Sequence, residues 1–195
     1  MKRSIIPLIA IVFVCVSAEA GGAAAHSLLS KQHVTATVAS PLVGRWSRVH
    51  RCQELVNALK AAGLGSTAPS AVGDFFPGST SKQLAKKPDP CEGAKPMVHS
   101  HFFAGNGTFG SLDQNSNQVD DGRYRIVDVH TLRIGTSTFH YRILSNRTLR
   151  LNPVITAAAR RQALAHPLQF STAVWMVSVA YPGHSWKPAP CNGWC

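Results

Sequence analysis

The sequence predicts a mainly β protein: an eight-stranded antiparallel up-and-down barrel with a helix and a long loop inserted between strands one and two. Three observations carry this. From Met97 onward the chain falls into short extended runs, these runs alternate apolar with polar side chains, and the breaks between them are short and rich in turn residues.

The first strand is "LVGRWSRVH", residues 42–50. "CQELVNALKAAG" then places Leu55, Val56, Leu59 and Ala62 at helical spacing and stops at Gly63, so a helix is predicted over 52–63. "SAVGDFF" at 70–76 adds a further turn. Residues 77–96 hold four prolines among lysines and small residues and read as a surface loop tethered by Cys91. Strands follow at 97–104, 108–114, 121–127, 130–135, 138–144, 147–152 and 170–181. Gly105-Asn106-Gly107, the polar "QNSNQVDDG", Asp128, Gly135-Thr136 and Ser145-Asn146 separate them, each a place where φ > 0 or a side-chain bond to the backbone is easily met. Consecutive hairpins make a meander, and eight strands can close and so remove their edges. Residues 153–169, Ala- and Arg-rich, form a short helix or a loop between the last two strands. The last run, "FSTAVWMVSVAY", is apolar at nearly every position and should be covered on both faces, with the 52–63 helix as one cover.

The alternation assigns faces. Phe139, Tyr141 and Ile143 oppose His140 and Arg142, and Tyr124 and Ile126 oppose Arg123 and Arg125. Phe102, Phe103, Phe109, Tyr124, Phe139, Tyr141 and Trp175 are large enough to fill a small barrel.

Ahead of this domain, Lys2-Arg3, the apolar "IIPLIAIVFVCV" and Ala18-x-Ala20 read as a cleavable signal peptide over 1–20. Residues 21–41 lack large apolar side chains and read as a disordered leader, with the barrel domain at 42–195. Cleavage would leave 18 basic and 8 acidic side chains, net +10, from the 20 and 9 of the full chain. The expectation is a basic protein, secreted or extracytoplasmic. Cys15 leaves with the signal, and Cys52, Cys91, Cys191 and Cys195 allow three disulfide connectivities. None of the spacings matches a zinc ribbon or a CxxC redox site. The predicted pairs are Cys52 with Cys91 and Cys191 with Cys195.

"GRW" at 44–46, opening the first strand of a secreted meander, resembles the G-x-W signature of the lipocalins and the wider calycin group. The resemblance gives Gly44 the role of letting the strand bend and Trp46 that of closing the barrel base. The lipocalin T-D-Y motif is absent from "LSNRTLRL", and Lys187 stands near the place of the family's arginine. With "FFPG", "DPC", "VDDGRYRIV", "FHYRI" and "AYPGHSW", residues 42–191 are similar to secreted bacterial proteins of lipocalin-like fold.

His99 and His101 lie two residues apart in one extended run and therefore share a face, about 7 Å apart. Two imidazoles in a partly dry cavity need partners, and Asp113 on the next strand is one. The predicted ligand-binding residues are His99, His101, Asp113, Tyr124, His140 and Tyr141, forming a pocket in the lumen for a small apolar or amphipathic molecule. A zinc or iron site needs three or four converging ligands; His140 is the third candidate beside His99 and His101, but no metal or cofactor is expected. Asp113, Asp120 and Asp121 surround a turn that Asp and Asn build on their own. No G-x-S-x-G, P-loop or Cys-His spacing marks an enzyme, and no catalytic residue is assigned. Two other readings stand: a structural or adhesive envelope protein with a filled barrel, and an enzyme built on His99, His101, Asp113 and His140. The basic surplus, including Lys82, Lys86, Lys87, Lys95, Arg160 and Arg161, suits anionic envelope polymers or lipid head groups; nucleic acid is not an expected partner.

Overall fold

The computed structural model describes residues 40–195. The predicted signal peptide and the predicted leader up to residue 39 lie outside the described residues.

Eight antiparallel strands form a nearly closed barrel: β1 (Gly44–His50), β2 (Met97–Phe103), β3 (Thr108–Leu112), β4 (Gln118–Asp128), β5 (Thr131–Ile134), β6 (Ser137–Ile143), β7 (Leu149–Pro153) and β8 (Lys187–Ala189). Strands β1 to β7 are neighbours in chain order, and β8 lies beside β1. Closure comes from the residue just ahead of β8. Trp186 exchanges both backbone bonds with Leu149 of β7, at 2.9 and 2.8 Å, so the first and last strands of the meander are joined through it.

The predicted insertion between strands one and two is present. It comprises α1 (Cys52–Ala61), a 3-10 turn at Gly65–Thr67, α2 (Ala68–Phe75) and α3 (Ser81–Leu84). Helix α1 stops where Gly63 takes a φ of 71°, the left-handed conformation that glycine adopts at little cost. The segment read as a plain loop over 77–96 is corrected by α3, whose capping box joins Thr80 and Gln83 reciprocally. Cys52 is bonded to Cys91 and Cys191 to Cys195, as predicted. The first closes a long loop and contributes ~3–4 kcal/mol through the unfolded state. Such bonds belong to an oxidising, extracytoplasmic setting. Among the described residues no helix is long and apolar enough to cross a membrane.

The strand predicted over 170–181 is a correction of larger consequence. Residues Thr172–Ala180 form α5, following α4 (Ala157–Ala165), and the true eighth strand is Lys187–Ala189. Seven of the nine residues of α5 are buried, which explains why the run is apolar at every phase. Ser171 caps it, accepting from the Val174 N–H at 3.4 Å. The helix packs against the inner wall. Its Val179 and Ala180 carbonyls accept from the inward side chains of His101 and Trp186, and the Trp175 ring meets Phe139 edge-on. With Phe103, Phe109 and Leu132, also buried, α5 fills the middle of the barrel.

The G-x-W segment has the geometry its residues require. Gly44 sits at φ 147°, outside the range of an L side chain, and Trp46 is buried with its indole N–H donating to Leu42 O at 2.9 Å. Lys187 is exposed opposite Ser47, on the outer face, and does not cover Trp46.

Part of the outer face of β2 and β3 is also covered. Phe102, which points away from the lumen, packs under Trp194 at 5.3 Å between ring centroids. Its ring lies where a Cβ on Gly110 would be, and that Cβ would also stand 3.1 Å from Asp120 O. Gly110→Ala is therefore expected to lower stability by ~1–3 kcal/mol, the usual effect of overpacking. Urea denaturation measures it; an unchanged midpoint would show that Phe102 can move aside.

Candidate functional site

Alternation along β1 and β2 brings Trp46, Arg48 and His50 to the inner face beside His101, His99 and Met97. The register pairs Trp46 with His101, Arg48 with His99 and His50 with Met97, and it continues His101 to Ser111 and Ser111 to Asp120. A polar stripe thus runs around one side of an otherwise apolar interior.

Each histidine on the stripe has a different environment. His101 is fully buried; its Nε2 lies 3.1 Å from Val179 O and its Nδ1 2.9 Å from Ser111 Oγ. A carbonyl only accepts, so Nε2 carries the proton and Nδ1 accepts from the serine hydroxyl. His50 is also fully buried, and neither ring nitrogen has a partner among the described residues. It is held by rings instead, 4.3 Å from Tyr181 and 5.3 Å from Trp186 between centroids. His99 is 3% exposed, 4.9 Å from His50 and 5.1 Å from His101, and its imidazole makes no hydrogen bond among the described residues.

Burial keeps all three neutral. It lowers His99 to about 4 against a small opposing pull from Asp113, and it places His50 and His101 well below the ordinary histidine value. Arg48 adds to this. Its guanidinium stacks 3.9 Å from the Tyr181 ring centroid and pairs with Glu54 at 2.6 Å, a fixed cation next to His50.

His99 faces a cleft of about 460 Å³ at the barrel mouth. Helix α2 contributes Asp74 and Phe75, the β3–β4 turn Asp113 and Asn115, β4 Asp120, and the α5 side Phe170 and Trp175. The volume is that of a small-molecule site, and the wall mixes aromatic surface with a few polar groups. No lysine or arginine lines it.

The three carboxylates differ in how they are held. Asp113 is exposed and builds the turn, accepting from the backbone N–H groups of Asn117 and Asn115, both at 2.8 Å; those bonds hold it below the usual carboxylate range. Asp120 is raised by burial, partly offset by the Trp175 indole N–H donating to it at 2.7 Å. Asp74 is raised by burial.

Of the six residues predicted to bind ligand, the cleft unites two, His99 and Asp113. His101 lies behind His99 with both nitrogens engaged. Tyr124 packs on Phe103 and donates its hydroxyl to Ala104 O at 2.9 Å, away from the cleft. Tyr141 is buried in the core, and His140 is exposed on the outer wall. Among the described residues no three His, Cys, Asp or Glu side chains are placed to hold a metal ion. Sequence reasoning missed His50, Asp74 and Phe170. His50 was within reach, since it shares the parity of Trp46 in β1. Asp74 and Phe170 come to the cleft only through the packing of α2 and α5, which no local pattern encodes.

Comparison with known proteins adds no relative: no family model matches the chain, and no curated protein matches it.

Proposed function

We propose that the protein is an exported, lipocalin-like binding protein whose ligand is a small amphipathic molecule of neutral or positive charge, held in the mouth cleft rather than deep in the lumen. The signal-peptide pattern of residues 1–20 and the two disulfides support export. The observation that carries the binding reading is the cleft itself, a ligand-sized space with His99 neutral and unpartnered at its floor. An unmet imidazole gains from any ligand group that can donate or accept there. Charge sets the class: Asp74, Asp113 and Asp120 face a space that no cation lines, although the chain carries a formal net charge of +11. A carboxylate ligand would be opposed and an amine favoured, with Phe170 and Trp175 offering faces to an alkyl or cationic group.

Three octyl amphiphiles test this, a trimethylammonium, an alcohol and a carboxylate, titrated by calorimetry. The ammonium and the alcohol are expected to bind at least about tenfold more tightly than the carboxylate, a difference of about 1.4 kcal/mol. Asp120→Asn should shrink that preference, and Trp175→Leu should weaken all binding. Binding that survives Trp175→Leu combined with Phe170→Ala would place the ligand elsewhere and sink the reading.

A further inference from the structure

The outer wall of β4 to β7 carries five outward arginines: Arg123, Arg125, Arg133, Arg142 and Arg150. Two pairs of them face each other directly across strands, Arg125 with Arg133 and Arg142 with Arg150. Like charges in that position destabilise a sheet, so the fold itself gains nothing by placing them there. Among the described residues none of the five forms an ion pair with a carboxylate; the pairs present involve Arg48, Arg51, Lys87 and His184. Their contacts are weaker ones, Arg123 to the Thr108 hydroxyl, Arg133 to Thr136 O and Arg150 to the Ser185 hydroxyl. Two carboxylates share the wall, Asp121 and Asp128, at opposite ends of β4, and Asp128 is occupied in accepting from the His130 N–H.

The wall also has a concave seat. A depression of about 290 Å³ lies between Arg142 and Arg150, with His130, His140 and Asn152 around it. Every one of these side chains can donate a hydrogen bond, and none is acidic. Such a seat fits one phosphate, sulfate or carboxylate group, which two arginine forks can bind bidentately. The second arginine pair repeats the chemistry at a distance. Thr138 of β6 is level with Arg133, and Arg142 is four residues further along, so the pairs are offset by about 13 Å along the strands and by two strand spacings across them, about 16 Å between pair centres at ordinary strand geometry.

We propose that this wall binds a linear anionic polysaccharide, with one anionic group seated between Arg142 and Arg150 and a later one on Arg125 and Arg133. The occupant follows from the surface. A barrel wall is convex and presents its two arginine pairs along a line, which suits a thin flexible chain better than a flat membrane. Tyr141 also lines the depression but is buried, and no Phe, Tyr or Trp stands at the outward positions of β4 to β7, so a nucleic-acid strand would find no exposed Phe, Tyr or Trp to stack on. The site is independent of the mouth cleft and shares no residue with it.

Heparin, a sulfated polysaccharide, is the probe, titrated at about 0.15 M salt, where charges more than about 8 Å apart are largely screened. Arg142→Gln with Arg150→Gln, and separately Arg125→Gln with Arg133→Gln, should each weaken binding about tenfold or more. The same charge change at exposed loop positions, Lys86→Gln with Lys95→Gln, should change it less than about twofold. Removing opposed like charges should leave the thermal midpoint unchanged or slightly raised, so folding does not confound the comparison, and either single substitution serves if a double does not fold. Equal loss from the lysine variant would show that net charge alone attracts the polymer and would overturn the proposal. So would binding of phosphatidylglycerol vesicles or of single-stranded DNA as tight as that of heparin and equally sensitive to the arginine variants.

Discussion

Trp186→Ala is expected to lower stability by ~3–5 kcal/mol, the range for truncating a large aromatic in a packed core. Three features converge on this side chain. It is fully buried, its ring lies 4.2 Å from the His101 ring centroid, and its indole N–H donates to Ala180 O at the end of α5. Its backbone, meanwhile, is the bridge that joins β7 to the strand beside β1. Losing the ring therefore loosens both the plug and the seam. Chemical denaturation gives the stability change, and amide exchange gives its location, because the Leu149 N–H donates to Trp186 O. Faster exchange at Leu149 is expected to exceed any change at β2 and β3. A loss below about 1 kcal/mol, the range of surface substitutions, would mean that the seam is held elsewhere.

Much of the barrel was readable from residues because hairpins are local. Gly105-Asn106-Gly107 and Gly135-Thr136 fall where the chain must turn, and the alternation around Phe139 and Tyr141 matches the buried positions of β6. What failed was the last strand. "FSTAVWMVSVAY" has no polar phase, so period 2 and period 3.6 fit it equally, and its valines favour a strand. Its length and the Ser171 cap were the counter-signals. The real β8, Lys187-Pro188-Ala189, is short and holds a proline, the features that normally argue against a strand. Its pairing is fixed by Trp186 and the tertiary seam. The histidine pair was legible as sharing a face. Which face turned inward was not, because from His99 onward both sides of β2 are buried, the inner one by the core and the outer one at Phe102 by the tail around Trp194.

Acid should begin to destabilise the protein below the ordinary histidine value, before its carboxylates titrate. His50, His99 and His101 are neutral when folded and take up protons near their ordinary value of 6.5 when unfolded. Their contribution is therefore fully present above that value and is lost as pH falls, for His99 until about 4, where the folded state also protonates. Each neutral imidazole costs about 1.4 kcal/mol per pH unit below the ordinary value. Three acting together give a slope near 4 kcal/mol per unit, enough to exhaust a typical stability of about 5–15 kcal/mol within a few units. Other groups facing the cluster do not reverse the sign. Arg48 stays charged and opposes protonation of His50, and Asp113 favours protonation of His99 only weakly from its exposed turn. Asp74 and Asp120, raised by burial, take up protons early when folded and offset part of the loss, but only near the carboxylate range. Urea denaturation at pH 7, 6 and 5 should show the midpoint falling at each step. His50→Leu removes two buried nitrogens that have no partner, so it should be neutral or stabilising at pH 7, and it should cut the acid slope by about a third, one imidazole of three. A midpoint flat from pH 7 to 5 would mean that the imidazoles find water or protons inside the folded barrel, and the dry, ring-packed interior around His50 would have to be abandoned.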